Sequence, residues 1–515
     1  MDAPGTDPGL VAALRADLVS GDLTVEGLDA LVGPLAAAAL HREQRVPALR
    51  AARAAGSEPA AVLARVFMLG DTVPRRELDT ALPALGAEGA QRLGIVRVAG
   101  EAPDDETVAA VDLRPYAAVD AGGTARWWVA SDLGEAASGD ALRADHVLGI
   151  GGASLTLAQI TMREARGRAL DLGTGCGVQA LHASRHCASV TATDISARAL
   201  RFTAFNAALA DTRLDLRAGS MLEPVAGERF DLVVSNPPFV ITPPAAYAAG
   251  LPVMEYRDGR RGGDDLVRDL VTGVGAHLAP GGVAQLLGNW EHHAGEDWRE
   301  RVGAWLAAAG LDGWVVQREV QDPAEYAETW LRDGGLRAGL DRGTYEAAYA
   351  AWLGDFEARG VEGVGFGYLT LRRPADGAAR PPWHRVEDVT GPARQPLGGH
   401  VSAVLAAHDW LAAHDDAALA AQRLVTAPDV TEERHLRPGA VDPRILILRQ
   451  GGGLGRFVQP GTLVAGAVGA CDGELTLGQI VAGLAALLEV PADDVAAEVL
   501  PAVRELVLDG FLAPA

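Results

Sequence analysis

Asn236-Pro237-Pro238-Phe239, directly after the apolar run FDLVVS, is the part of this chain whose residue types point most sharply to chemistry. Two prolines at a strand end cannot continue a hydrogen-bonded ladder, so they make a rigid turn. Such a turn aims the Asn236 side chain and the Pro237 carbonyl outward as two acceptors, suited to an –NH2 group on a planar substrate. Phe239 offers a face on which a planar amide or base stacks. A nitrogen that gains positive charge as it reacts is stabilised by fixed acceptors, one of which is worth on the order of 10²–10³ in rate. The bland alternative is an ordinary Pro-Pro turn.

Two further stretches belong with it. Asp171-Leu172-Gly173-Thr174-Gly175-Cys176-Gly177 ends an apolar strand and opens a helix. The glycines allow positive φ and a close approach of backbone to ligand. Dinucleotide sites use similar glycines. The acid before them favours a different ligand, because a carboxylate holds the α-ammonium of an amino acid and repels a pyrophosphate. A turn needed only for packing is the alternative. About twenty residues on, Asp194 ends SVTATD, where an acid suits two hydrogen bonds from ribose hydroxyls, and Ile195 is placed to lie against a flat base.

These loops need a frame to carry them. From about residue 142 to 375, strands alternate with helices, the pattern of a parallel α/β sheet. The strands expected are 169–173, 189–194, 230–236, 282–290, 313–320 and 365–373, with a helical insertion from Asp322 to Gly360. Before this domain, residues 8–100 read as short amphipathic helices, followed by a strand pair from LGIVRVAG and WWVASDL. After it, beyond the Pro-rich piece 372–383, ILILRQGG and RFVQPGTLVAGAV read as strands. LTLGQIVAGLAALL and VAAEVLPAVRELVLDGFL read as helices, and GGGLG (451–455) as a hairpin turn. The expected organisation is an accessory domain over 1–141, a central domain over 142–375 and a second accessory domain over 384–515, both flanks winged-helix-like.

DLGTGCG, ATDIS-x-RAL and FDLVVSNPPFV together resemble the class I S-adenosylmethionine (SAM) methyltransferases with the NPPY/NPPF signature. Within these the chain is most similar to the HemK-like glutamine N5-methyltransferases, with ribosomal-RNA base N-methyltransferases close behind. The resemblance implies a Rossmann-like seven-stranded α/β domain with SAM as cofactor. It implies that Asp171, Gly173, Thr174 and Gly175 line the methionine end and that Asp194 and Ile195 take the adenosine. Ser220, Met221 and Asn236 then complete the cofactor contacts, and Asn236, Pro237 and Phe239 take the acceptor nitrogen. The chemistry implied is a direct displacement in which the protein supplies alignment and acceptor dipoles. A protein glutamine is the leading acceptor. A nucleobase amine, a natural product or peptide, and a SAM-fold binding protein without turnover are the alternatives. The chain departs from the family at Gly219-Ser220-Met221-Leu222-Glu223-Pro224, where many relatives carry an acid near the adenine amine, and in ending the motif with Phe239. The flanks do not match the helical N-terminal domain expected of a release-factor enzyme.

The net charge of −23 splits into −9 before residue 142, −6 from there to 380 and −8 beyond. No segment carries the basic field of a general nucleic-acid binder, so a protein or peptide partner is favoured over nucleic acid. All 45 basic residues are arginine, so anion contacts are made by guanidinium forks. Cys176, Cys187 and Cys471 have no CxxC spacing, which suits a reducing cytoplasm and supplies no metal site. No apolar run of spanning length and no signal-peptide pattern is expected to place the chain in a membrane. Arg257, Arg260 and Arg261 read either as an anion-binding lid or as a solvated loop. His292 and His293 have no further ligand at metal spacing, and Thr156 reads as a cofactor neighbour or a helix cap.

Overall fold

The computed structural model describes residues 3–42, 44–120, 122–134, 142–259, 261–376 and 380–515. Its largest sheet is built from β1 (Arg166–Leu172), β2 (Cys187–Asp194), β3 (Asp215–Ala218) and β4 (Phe230–Ser235). β5 (Leu278–His293), β6 (Asp312–Gln321), β7 (Val361–Arg372) and β8 (His384–Asp388) complete it. The order is β8-β6-β7-β5-β4-β1-β2-β3. Neighbours pair in parallel except around β7, which runs antiparallel to both β5 and β6. Apolar side chains such as Leu170, Val233 and Leu286 form one core beneath α3 (Asp265–Gly273) and α4 (Trp298–Ala309). α1 (Val178–Ser184) and α2 (Ala197–Leu209) follow β1 and β2.

All six expected strands are present, and two more join them. β3 is only four residues long, DLRA, with no apolar run to announce it. β8 lies in the stretch assigned to the C-terminal domain, so the sheet has eight strands and extends past the expected boundary at 375. Asp312 explains its return. This buried carboxylate accepts from Arg380, from Arg372 and from the Trp383 N–H at 3.0 Å, which brings the chain back beside β6. Burial pushes its pKa up, but the Arg380 contact, the Trp383 N–H and the Arg372 contact outweigh that and hold it at about 2. The helical insertion is also as expected, formed by α5 (Pro323–Asp333) and α6 (Arg342–Arg359), each capped by the preceding aspartate.

Residues up to 158, together with 164–388, make one compact unit. Leu14, Leu18, Phe67, Leu113 and Val129 share a single hydrophobic core with Val178, Leu181, Phe202 and Phe205 of α1 and α2. Arg15 donates to the Ala208 and Leu209 carbonyls at the end of α2. Six helices are described between Pro8 and Leu93. The two expected strands do not pair with each other. Val96–Val98 pairs with Glu106–Ala109, and Gly123–Ser131 pairs with Asp112–Asp120 in a second hairpin.

The second compact unit comprises 159–163 and 389–515. Its helices Leu477–Leu488 and Ala492–Leu508 match the sequence, the former closed by a Thr476/Gln479 capping box. RFVQPGTLVAGAV is only in part a strand: Phe457–Val458 pairs with Ile445–Gln450, and Thr462–Gly469 is a helix. Pro460-Gly461 breaks the strand, and the apolar run has the same composition in either conformation, so the core that takes Val464, Ala467 and Val468 decides. Gly451–Gly455 is the turn between the paired strands. Among the described residues no single helix is long and apolar enough to cross a membrane.

Candidate functional site

Register alone gathers the sequence motifs at one sheet edge. Leu172 pairs with Thr193 on one side and with Ser235 on the other, and Asp194 pairs with Ala218. The loops beginning at Gly173, Ile195, Gly219 and Asn236 therefore leave the carboxyl edge at nearly the same level, where ligands of open α/β sheets bind.

Asp171 is buried beneath the first loop. One of its oxygens accepts from Thr174 Oγ1 at 2.6 Å and from the Ala180 N–H at 2.9 Å. Burial nevertheless pushes its carboxyl up to about 7. Gly173 and Gly175 hold positive φ of 73° and 57°, and an added Cβ at either would meet no heavy atom within 4 Å. That leaves an open cradle in front of backbone that only glycine adopts readily.

Asp194 accepts from the Gly175 N–H at 3.0 Å on one oxygen and from the Ser196 N–H at 2.8 Å on the other. Each oxygen keeps a lone pair for a further donor. Burial raises its pKa against the pull of backbone N–H groups, Gly175 and Ser196 foremost, and the nearby Glu255 charge adds to the rise. Ile195 stands beside it with 66% of its surface exposed. The Gly219 N–H is bound to the Asp194 carbonyl, which brings Ser220 and Met221 to the same edge, Met221 in a left-handed conformation at φ 47°.

At β4, the Ser235 hydroxyl is tied to the Leu172 carbonyl, and Asn236 follows. Asn236 Oδ1 is buried and has no hydrogen-bond partner among the described residues. The Pro237 carbonyl already accepts the Phe239 N–H at 2.8 Å, which leaves it one lone pair. The Phe239 ring meets Phe366 edge-on at 6.4 Å.

Residues 149–251 match the family model described as methyltransferase small domain. Residues 20–110 and 402–514 match two models described as domains of unknown function, DUF7059 and DUF7782. Over 160 residues the chain is 41% identical to the release factor glutamine methyltransferase of Xylella fastidiosa (strain Temecula1), which is 30% of this chain and 56% of the relative. It is 38% identical to the release factor glutamine methyltransferase of Bordetella pertussis, over 33% of this chain and 60% of the relative. The ribosomal protein uL3 glutamine methyltransferase of Bradyrhizobium diazoefficiens is 34% identical over 30% of this chain and 51% of its own length. The chain thus spans between half and two thirds of the length of these relatives.

The cofactor of a methyltransferase domain is SAM, and the residues present fit it. The open cradle at Gly173 and Gly175, the buried acid behind it and the half-satisfied Asp194 are a donor and acceptor set for an amino acid joined to a nucleoside.

Other expectations fall differently. Arg257 is buried and spoken for: it donates to the Trp330 carbonyl and to Asp333 at 2.8 Å each, pinning the 250–258 strap to α5. It is therefore neither an anion site nor part of a solvated loop. Arg261 is exposed and pairs with Asp269 at 3.1 Å, while Arg260 lies outside the described residues. Thr156 is inside the helix Gly152–Ile160, so it is not a cap. His292 meets Gln317 at 2.8 Å and His293 meets Glu291 at 3.2 Å. The sequence reading missed Tyr326, whose buried hydroxyl accepts from the Ile241 N–H at 2.8 Å and from Asn289 at 3.0 Å, bracing the chain after Phe239. It also missed Thr203 and Asn206, buried on α2 behind the glycine loop. Two polar residues three apart among Phe202, Phe205 and Leu209 were the available signal.

Proposed function

We propose that this chain transfers the methyl group of SAM to the nitrogen of a planar amide, with a protein glutamine side chain as the leading acceptor. The observation that carries this reading is Asn236 Oδ1, a buried acceptor with no partner among the described residues, at the same sheet edge as the glycine cradle. A buried polar atom left unpaired forfeits about 1–3 kcal/mol, which an –NH2 donor at that point restores.

When bound, SAM supplies an electrophilic methyl group. The protein does the rest by position and charge. Asp171 as an anion faces an α-ammonium, and the two free lone pairs of Asp194 accept from vicinal hydroxyls. Asn236 Oδ1 and the remaining lone pair of the Pro237 carbonyl hold the two amide hydrogens, which turns the nitrogen to be methylated toward the cradle. Both acceptors gain strength as that nitrogen becomes positive, the arrangement that lowers a barrier, and one of the two held hydrogens then leaves as a proton to water. The exposed part of Phe239 packs against the amide plane.

The names of the relatives, which specify glutamine in a release factor and in a ribosomal protein, support this acceptor and a cytoplasmic setting. An exocyclic nucleobase amine presents a similar planar –NH2, but charges of −9, −6 and −8 along the chain disfavour it. The helix–strand–helix–helix–hairpin order over 59–109 supports a winged-helix-like fold for the N-terminal flank. The test is incubation with methyl-labelled SAM and host lysate, followed by protease or RNase. Label in the protease-sensitive pool, mapped to glutamine by mass spectrometry, is expected. Label in the RNase-sensitive pool overturns the acceptor assignment.

A further inference from the structure

Asn206 of α2 is completely buried, and every polar atom of its side chain is used. Its Nδ2 donates to the Ala130 carbonyl at 2.9 Å and to the Cys176 carbonyl at 2.8 Å. Its Oδ1 accepts the Ala130 N–H at 2.8 Å. The partners also settle the orientation of the amide, since a flipped side chain would set its oxygen against two carbonyls. Ala130 belongs to the hairpin Asp112–Asp120/Gly123–Ser131, far from the motifs in sequence and upstream of the methyltransferase small domain. Cys176 lies inside the glycine loop.

The network continues from there. Thr203, one turn earlier on α2, donates to the Gly175 carbonyl at 3.0 Å. Its methyl group would stand 2.8 Å from a Cβ at Gly177, so only glycine lets the loop approach α2 this closely. With the carbonyls of Gly175 and Cys176 drawn toward α2, the Gly175 N–H is left to bind Asp194. Thus hairpin, α2, glycine loop and the proposed ribose acid are linked in sequence by direct hydrogen bonds.

We infer that the 112–131 hairpin is a working part of the cofactor site, with Asn206 as the positioning residue that ties it to the Gly175–Gly177 loop. This rests on the SAM reading above. Bonds of this kind, none of them to the ligand, set the loop's conformation before binding, so their loss appears as weakened affinity in a protein that is still folded. A residue that only stabilised the fold would lower the melting temperature and leave the affinity of the folded protein alone.

The full-length protein allows a test without any substitution. Hydrogen exchange followed by mass spectrometry, with and without saturating SAM, is expected to show slowed exchange in peptides covering 173–177 and in those covering 129–131. Protection at 173–177 with no change at 129–131 overturns the inference and leaves the cofactor reading intact. Protection at neither means that the cofactor reading itself has failed. In calorimetry, Asn206→Ala, which leaves three backbone groups unpaired, is expected to weaken SAM by ~10-fold or more under conditions where circular dichroism shows it folded. Parent-like affinity in that variant, with Asp194→Ala weakened alongside it, overturns the inference. Should Asn206→Ala not fold, the exchange experiment decides alone.

Discussion

Asp171 combines a buried carboxyl with only two hydrogen bonds, both on the same oxygen, and its pKa is pushed up to about 7 from 3.8 by burial. Because the folded value lies above the unfolded one, the stability due to this proton is complete below about pH 4 and is lost as pH rises through about 7. Cofactor binding carries the opposite sign, since an α-ammonium needs the anion. SAM affinity is expected to rise up to ~10-fold per pH unit on approaching pH 7, then fall above about 8 as the ligand's own amine loses its proton. Calorimetry from pH 5.5 to 8.5 measures this, and Asp171→Asn should weaken binding and remove the acid limb. Asn236 separates from Asp171 in its readout. Asn236→Ala is expected to abolish methyl transfer while holding SAM affinity within about threefold, because its contact is with the acceptor. Equal loss of both would make Asn236 a structural residue.

At the scale of elements, β7 shows why the sheet needs its glycines. A Cβ at Gly367 would lie 2.0 Å from the Val316 carbonyl and 3.0 Å from the Trp290 ring, while one at Gly363 would first meet Val320 at 3.2 Å. Trp290 is fully buried and stacks on Trp298 at 5.6 Å, so neither it nor the backbone of β6 has room to yield. Gly367→Ala is expected to destabilise the protein by about 1–3 kcal/mol or more in denaturant melts, and Gly363→Ala clearly less. In the middle of the same strand Phe366 stacks on Tyr326 at 5.8 Å, and the Tyr326 hydroxyl takes the Ile241 N–H. The helical insertion is therefore a brace for the chain that follows Phe239, and Arg257 adds a second pin from the 250–258 strap to Asp333.

For the whole molecule, what matters is that residues up to 158 share a compact unit with 164–388. α1 and α2 bury Val178, Leu181, Phe202 and Phe205 against residues 10–130, so removing 1–134 strips one side of the helices that carry the cofactor loops. That truncation is expected to aggregate or to melt without cooperativity and to bind no SAM by calorimetry. Removing 389–515 takes away the second compact unit except for 159–163, including its core of Leu477, Val495, Val499 and Phe511. That protein should melt cooperatively and bind SAM within about threefold of the parent, with loss confined to choice of acceptor. Its charge bears on that choice: from 381 onward the chain carries −8, so segment 389–515 should show no sub-micromolar affinity for duplex DNA or structured RNA at ~0.15 M salt.

Read alone, the sequence determined the central α/β sheet, six of its eight strands and the four loops at its carboxyl edge. Strand alternation and rigid turn chemistry are local properties that a short window records, and Asp171, Asp194 and Asn236 each stand at a strand end because of them. Tertiary structure decided what no window holds. β8 joins the sheet because Asp312 grips Arg372 and Arg380. Thr462–Gly469 is a helix because a core takes its apolar residues, which would also suit a strand. Arg257 is an internal pin and not a ligand for anions, since α5 returns 73 residues later to cover it. Asn206 becomes part of a cofactor site only when a hairpin 76 residues upstream packs against it. Long-range contacts of this sort are chosen by which surfaces bury one another, and the spacing of residue types along the chain does not encode that.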